Sequence, residues 1–331
     1  MKNKIKTIFL LLAVIMSALF VGCSKNTNET TKHNEETKAK IKIATLKGPT
    51  GMGMVKLMEE DKDNYEISLV DSPDQIVSKI VNGELDGACV PSNLASVLYN
   101  KTKGNVKLIG ANTLGVLYIV QNGNDIKTIK DLKGKTIYAS GKGATPEFIL
   151  KHILNKNGLV EGKDVNIEYS MQHSDLSTAI ASSKIKVAVL PEPFVSITKM
   201  KDKNLSIPID LTREWDKVSS NHSKLIMGTI IFKKDFVDKN KEELDKFIDK
   251  YRKSVDFVNK DKEEASKLIE KYGIVPKAKV AEMAIPKCNI VFIDAKDAKG
   301  DLEEFYKILL KNNPKSVGGK IPDDKFYYEN K

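Results

Sequence analysis

The sequence has 331 residues, 41% of them hydrophobic and 30% charged, which is enough apolar material for a globular body of two domains or two lobes. Its formal charge of +10 is almost entirely lysine, since Arg213 and Arg252 are the only arginines. The lysines are scattered among acids with no arginine-aromatic stripe, so a basic surface facing an anionic envelope is expected and a nucleic-acid partner is not. The four histidines lie far apart and the cysteines lack metal-type spacing, so neither a metal site nor a cofactor is expected.

The chain opens with Met1-Lys2-Asn3-Lys4-Ile5-Lys6, followed by a nearly unbroken apolar run from Ile8 to Val21 that closes on Gly22-Cys23. A basic start and a short apolar run predict a secretory signal over residues 1–22, too short for a spanning helix of roughly 20 residues. The small residue before Cys23 resembles the cleavage site of bacterial lipoproteins, which implies lipidation of Cys23, although Phe20 stands where leucine is usual. An ordinary signal peptide, or an uncleaved anchor with an incidental cysteine, is the plainer alternative. Removing residues 1–22 takes away three lysines and no acid, leaving +7. Residues 23–40 are polar, have no large apolar side chain beyond Cys23 to bury, and read as a tether.

The body then alternates strands and helices. Ile41–Thr45 reads as a strand entering the turn Lys47-Gly48-Pro49-Thr50-Gly51-Met52-Gly53 and a helix from about Met54. An internal repeat follows at a shift of 100 positions: residues 64–97 lie over residues 164–197 without gaps, matching Ile67 with Ile167, Ile80 with Ile180 and Pro91 with Pro191. Each copy reads as strand, helix, buried-type strand and proline stop. In the first copy Ser72-Pro73-Asp74-Gln75 is a helix start, with a serine cap and proline at the first helical position. A second strand and glycine turn, Thr136–Ala139 into Ser140–Pro146, precedes the second copy. Gly228–Phe232 reads as a strand, and Leu244, Phe247, Ile248, Tyr251, Val255 and Val258 share one face of a long helix. The alternation predicts an α/β protein with parallel sheets covered by helices, folded as two lobes joined by two hinge crossings. Residues 41–117 and 229–331 would form one lobe and residues 118–228 the other.

Ligands of open α/β sheets gather where carboxyl ends of strands lead into helix amino termini. Here those positions include Thr50, Gly51 and Met52, then Ser92 and Asn93, and Gly143, Ala144 and Thr145, with Asp71-Ser72, Gln172–Ser174 and Glu192-Pro193 beside them. Exposed amides at such turns suit an anion or carboxylate. Several of these side chains would serve equally as helix caps. Glu192, held between two prolines, either accepts from an amine-bearing ligand or sits on its own helix amino terminus. Arg213 and Trp215 could clamp and stack on a ligand, or be a surface charge and a packing anchor. His173 reads as a partly exposed loop histidine. Cys89 lies in an apolar run and reads as a core residue, although Cys89 and Cys288 could pair outside the cell.

Four ordered stretches carry a resemblance: Leu46-Lys47-Gly48-Pro49-Thr50-Gly51, then Gly83–Ala88, then Asp131–Ile137, then Leu190-Pro191-Glu192-Pro193-Phe194. From about Ile41 to Phe232 the chain resembles the solute-binding lipoproteins of ABC importers in the nitrate, sulfonate and taurine group. The resemblance implies a two-lobed fold of the type II periplasmic-binding-protein kind. It also implies capture of a small polar or anionic organic solute by lobe closure, and delivery to a permease with its ATPase. Binding roles are implied for Thr50–Met52, Ser92-Asn93 and Gly143–Thr145, in a monomer anchored by lipid to the outer face of the cell membrane. Two other functions are weighed against it, an enzyme on the same fold and an extracytoplasmic ligand sensor. Ser174, His173 and Asp175 cannot serve the enzyme reading, because neighbours in one turn cannot form a relay of nucleophile, base and orienter.

Overall fold

A computed structural model describes residues 39–219 and 222–329. The expected signal peptide, Cys23 and the tether up to residue 38 lie outside the described residues. Among the described residues, no helix is long and apolar enough to cross a membrane.

The chain starts with β1 (Ile41–Leu46), the single turn α1 (Pro49–Met52) and α2 (Val55–Glu60). It continues through β2 (Tyr65–Val70), α3 (Pro73–Val81), β3 (Gly87–Pro91), α4 (Ser92–Lys101) and β4 (Val106–Leu114). Beyond Val116 come β5 (Leu117–Gln121), β6 (Thr136–Tyr138), α5 (Thr145–Lys156), β7 (Asn166–Glu168), α6 (His173–Ala181), β8 (Val187–Pro191), α7 (Phe194–Lys201), β9 (Ser206–Asp210) and α8 (Leu211–Val218). The last part holds β10 (Ile226–Lys233), α9 (Lys234–Lys239), α10 (Lys241–Lys260), α11 (Lys262–Lys271), α12 (Ala278–Ala284), β11 (Ile290–Asp294) and α13 (Ala295–Asn312). The helix expected from about Met54 is α2, and the glycine-rich turn expected before it contains the single helical turn Pro49–Met52.

The strands form two sheets, ordered β11-β4-β10-β3-β1-β2 and β7-β6-β8-β5-β9. They share a plan: β2-β1-β3-β10-β4 in the first corresponds to β7-β6-β8-β5-β9 in the second. The alternation of strands and helices predicts parallel sheets, yet both are mixed. β1 pairs in parallel with β2 and β3, and β6 with β7 and β8, whereas β10 and β5 run antiparallel to their neighbours. β10 and β5 are the strands that have just crossed from the other sheet, so each enters from the opposite end; the edge strand β11 also runs antiparallel to β4. The outward crossing is Gly115-Val116, and Leu117 already pairs with Pro191 in the second sheet. The return is complete by Ile226, which pairs with Leu114 in the first.

The repeat appears as two copies of one unit, with β2-α3-β3-α4 one hundred positions before β7-α6-β8-α7. Ser72 caps α3 by accepting the Asp74 amide at 3.3 Å, with Pro73 in the first turn where its missing N–H costs nothing. Even the turn after each helix matches: Gly83 and Ser183 both have positive φ, 78° and 57°.

Alternate residues of the central strands point to opposite helical layers, as a period of two requires. In β3, Ala88 and Val90 face one apolar cluster and Cys89 the other; in β8, Val187 and Val189 face one and Ala188 and Leu190 the other. The cluster that receives Ala88, Val90, Val187 and Val189 is continuous across both sheets. Trp215 is fully buried within it, 5.3 Å from the His152 ring on α5 and 5.7 Å from Phe305 on α13, and its indole N–H donates to the Ser223 carbonyl at 2.9 Å. That settles Trp215 as a packing anchor. Arg213 is exposed and lies 3.7 Å from Asp210. Cys89 and Cys288 are both buried and free.

Candidate ligand cleft

Between the sheets lies a cleft of about 1100 Å³, lined at the carboxyl ends of six strands. The first wall is supplied by Leu46–Gly48 after β1, Asp71 and Ser72 after β2, and Pro91, Asn93 and Leu94 around the end of β3. The second is supplied by Gly141–Pro146 after β6, Gln172 and His173 after β7, and Pro193 and Phe194 after β8. Parallel strands leave these loops and helix amino termini together at one edge of each sheet, which is what a cleft needs. Corresponding positions of the repeat make the two walls: Ser72 and Gln172, Pro73 and His173, Asn93 and Pro193, Leu94 and Phe194 all line the cleft.

The expected site residues divide between cleft and core. Gly143, Ala144, Thr145 and Asn93 line the cleft. Gly143 has φ 77°, a conformation that glycine adopts without the Cβ clash, and this lets the turn before α5 present its backbone. Thr145 donates its hydroxyl to Asn93 Oδ1 at 2.8 Å, so one wall touches the other, while the Asn93 amide donates to the Ser316 carbonyl at 3.2 Å.

Thr50, Gly51 and Met52 do not line it. They form the turn α1 and point into the protein: Thr50 donates to the Leu46 carbonyl at 3.1 Å, and Met52 is fully buried in the core beneath the first sheet. A Cβ on Gly51 would lie 2.7 Å from the Leu46 carbonyl oxygen, so this glycine serves backbone packing. Ser92 is also fully buried, donating its hydroxyl to the Ile226 carbonyl at 2.8 Å and so fastening α4 to β10. Glu192 is 1% exposed and turned back onto its own helix, accepting the Ser196 amide at 3.1 Å and hydroxyl at 3.0 Å. Burial pushes its carboxyl above the usual range, against the pull of those two bonds and of Lys287 at 4.0 Å. Of the two roles open to Glu192, the structure shows the helix-terminal one.

His173, at the start of α6 and among the strand-end positions Gln172–Ser174 expected near a ligand, lies in the cleft wall. Its Nδ1 is 2.5 Å from the Ser140 hydroxyl and its ring centroid is 5.4 Å from that of Phe194. Desolvation pulls its pKa down to about 4, so the imidazole is neutral at neutral pH. Met227, Glu270 and Gly273–Pro276 complete the cleft. Sequence reasoning passes over these because they lie outside the repeat, and Ile274-Val275-Pro276 reads as ordinary apolar loop. Among the described residues, no group of three or more His, Cys, Asp and Glu side chains could hold a metal ion.

Comparison with known proteins agrees with this geometry. A family profile described as "NMT1/THI5 like" matches residues 103–265, a span that contains both crossings and the whole second sheet. No match is found among curated proteins. Among solved structures, an ABC transporter protein from Parabacteroides distasonis is similar at 26% identity and a TM-score of 0.76, with 88% of this chain and 99% of that one covered. The periplasmic aliphatic sulphonate binding protein SsuA from Escherichia coli is similar at 18% identity and a TM-score of 0.66, covering 88% and 92%. The ligand-binding component of an ABC-type import system from Staphylococcus aureus, solved with zinc bound, is similar at 15% identity and a TM-score of 0.66, covering 88% and 97%. The fold is that of ABC-importer solute-binding proteins. Asn93, Thr145, His173 and Phe194 meet in the cleft between the two sheets.

Proposed function

We propose that this chain is the extracytoplasmic solute-binding lipoprotein of an ABC importer, monomeric and without chemistry of its own, held at the membrane by a lipid on Cys23. The observation that carries the reading is the cleft, whose two walls come from matching positions of a repeated unit on either side of two chain crossings. Two crossings let the lobes move toward each other, so a solute held by both walls favours the closed form, which a permease can then select. Asn93, Gly143, Ala144 and Thr145, together with His173 and Phe194, are the proposed contacts. Thr50, Gly51, Met52, Ser92 and Glu192 support the walls from behind.

The cleft also bears on the enzyme alternative. The nearest approach to a nucleophile and base is His173 of the lining with Ser140, buried behind it at 2.5 Å. Among the described residues no carboxylate is hydrogen-bonded to the imidazole, and its depressed pKa has desolvation as its cause. Mass spectrometry of small molecules released from protein purified from its host tests the reading. A single co-purifying solute that raises the melting temperature on re-addition and is not consumed is expected, and turnover of that solute would overthrow it. Release of a Cys23→Ala protein into the medium is expected if Cys23 carries the anchor.

A further inference from the structure

The cleft has the opposite charge from the protein around it. Its lining carries Lys47 and Lys142 against Asp71, Asp74 and Glu270, and Lys47 is already paired with Asp71 at 2.8 Å. Neither arginine is present, since Arg213 is exposed beside Asp210 and Arg252 pairs with Asp294 at 2.5 Å. A bidentate grip on an oxyanion is therefore missing from the lining.

The glycine turn before α5, beside Lys142, is the glycine-rich one among the turns that line the cleft, and the chain fills it with a carboxylate of its own. Glu147, in the first turn of α5 and 7% exposed, accepts the Gly143 amide. Lys151, one turn further on, binds Glu147 at 2.5 Å and Glu161 at 2.7 Å, so the carboxylate is fixed from both sides. Burial alone would push its pKa up, but the Gly143 amide and Lys151 outweigh that and hold it below the ordinary carboxylate range. An incoming anion would meet a fixed negative charge where the amide and the helix dipole would otherwise attract it. What the walls offer instead is the Phe194 face, the His173 imidazole, and the Asn93–Thr145 pair.

Resting on the binding-protein reading above, we propose that the cleft takes an uncharged solute with a flat apolar part. On this proposal Glu147 determines that specificity by occupying, from inside the protein, the seat an anion would use.

The test uses three matched probes, benzamide, benzenesulfonate and benzylammonium, titrated calorimetrically against the full-length protein and its Glu147→Gln variant, with the net charge of any solute released from the native protein measured alongside. Wild type is expected to bind benzamide at least tenfold more tightly than benzenesulfonate. Glu147→Gln, which keeps an acceptor for the Gly143 amide but removes the charge, is expected to improve benzenesulfonate binding tenfold or more and leave benzamide within about threefold. Wild-type binding of benzenesulfonate as tight as that of benzamide, or an anionic native cargo, overturns the proposal and leaves the binding-protein reading standing. An unmoved benzenesulfonate affinity in a folded Glu147→Gln protein removes the role given to Glu147. If no probe binds and no solute is released, the binding-protein reading falls and this proposal falls with it.

Discussion

The two walls of the cleft descend from the same repeated unit and use it differently. On the first wall most of the predicted binding positions have turned inward: Met52 fills the core and Ser92 fastens α4 to β10, which leaves Asn93 in the cleft beside the apolar surface of Pro73 and Leu94. On the second wall the corresponding places hold His173 and Phe194, and the Gly143–Thr145 turn faces the space. The shared backbone plan keeps the strands and helix starts in register, and the side chains on it are free to diverge. On the proposed binding role, the first wall would act mainly as a surface to close against, with Asn93 as its contact, and the second would carry His173, Phe194 and the Gly143–Thr145 turn.

Substitutions can break this contrast. The largest effect is expected from Met52→Ala, where truncating a fully buried side chain should cost about 2–5 kcal/mol of unfolding free energy in a urea titration. Affinity of the folded fraction for the native solute should be unchanged; a large loss of affinity with little loss of stability would put Met52 back in the site. Ser92→Ala should cost about 1–3 kcal/mol, because the Ile226 carbonyl loses its buried donor, again without altering affinity.

Phe194→Ala should do the reverse, weakening solute binding by about 0.5–1.5 kcal/mol or more by calorimetry while Leu94→Ala, its repeat partner, has the smaller effect on binding. Equal losses from the two would end the claim that the walls differ. The smallest effect concerns pH. His173 falls from its ordinary 6.5 to about 4 on folding, so in that window the unfolded chain binds a proton that the folded protein does not. Stability should therefore decline as pH is lowered from about 6.5 toward about 4, and a His173→Gln protein should lose that part of the slope in thermal melts across the range.

Much of the architecture is legible in the sequence because it rests on periodicity. The 100-residue repeat, the Ser72-Pro73 helix start and the proline stops at Pro91 and Pro191 each fix a local structure through a short-range cause. The antiparallel β5 and β10 are not legible that way, since their direction is decided by which sheet the chain has just left. The site is only partly readable for a related reason. Strand-end loops can be located from pattern, but whether Ser92 or Asn93 faces the cleft depends on one residue of rotation at the helix start. His173 is readable as a strand-end position, but its contacts are not, since the packing of Ser140 and Phe194 around it comes from distant parts of the chain.

The apolar cluster that runs unbroken from one sheet to the other, with Trp215 between His152 and Phe305, has a calorimetric consequence. Two lobes linked only by two strands of chain would melt independently, each with its own heat-absorption peak. Here neither lobe can lose its interior without stripping the other's, so the empty protein should melt in one endotherm whose calorimetric and van't Hoff enthalpies agree.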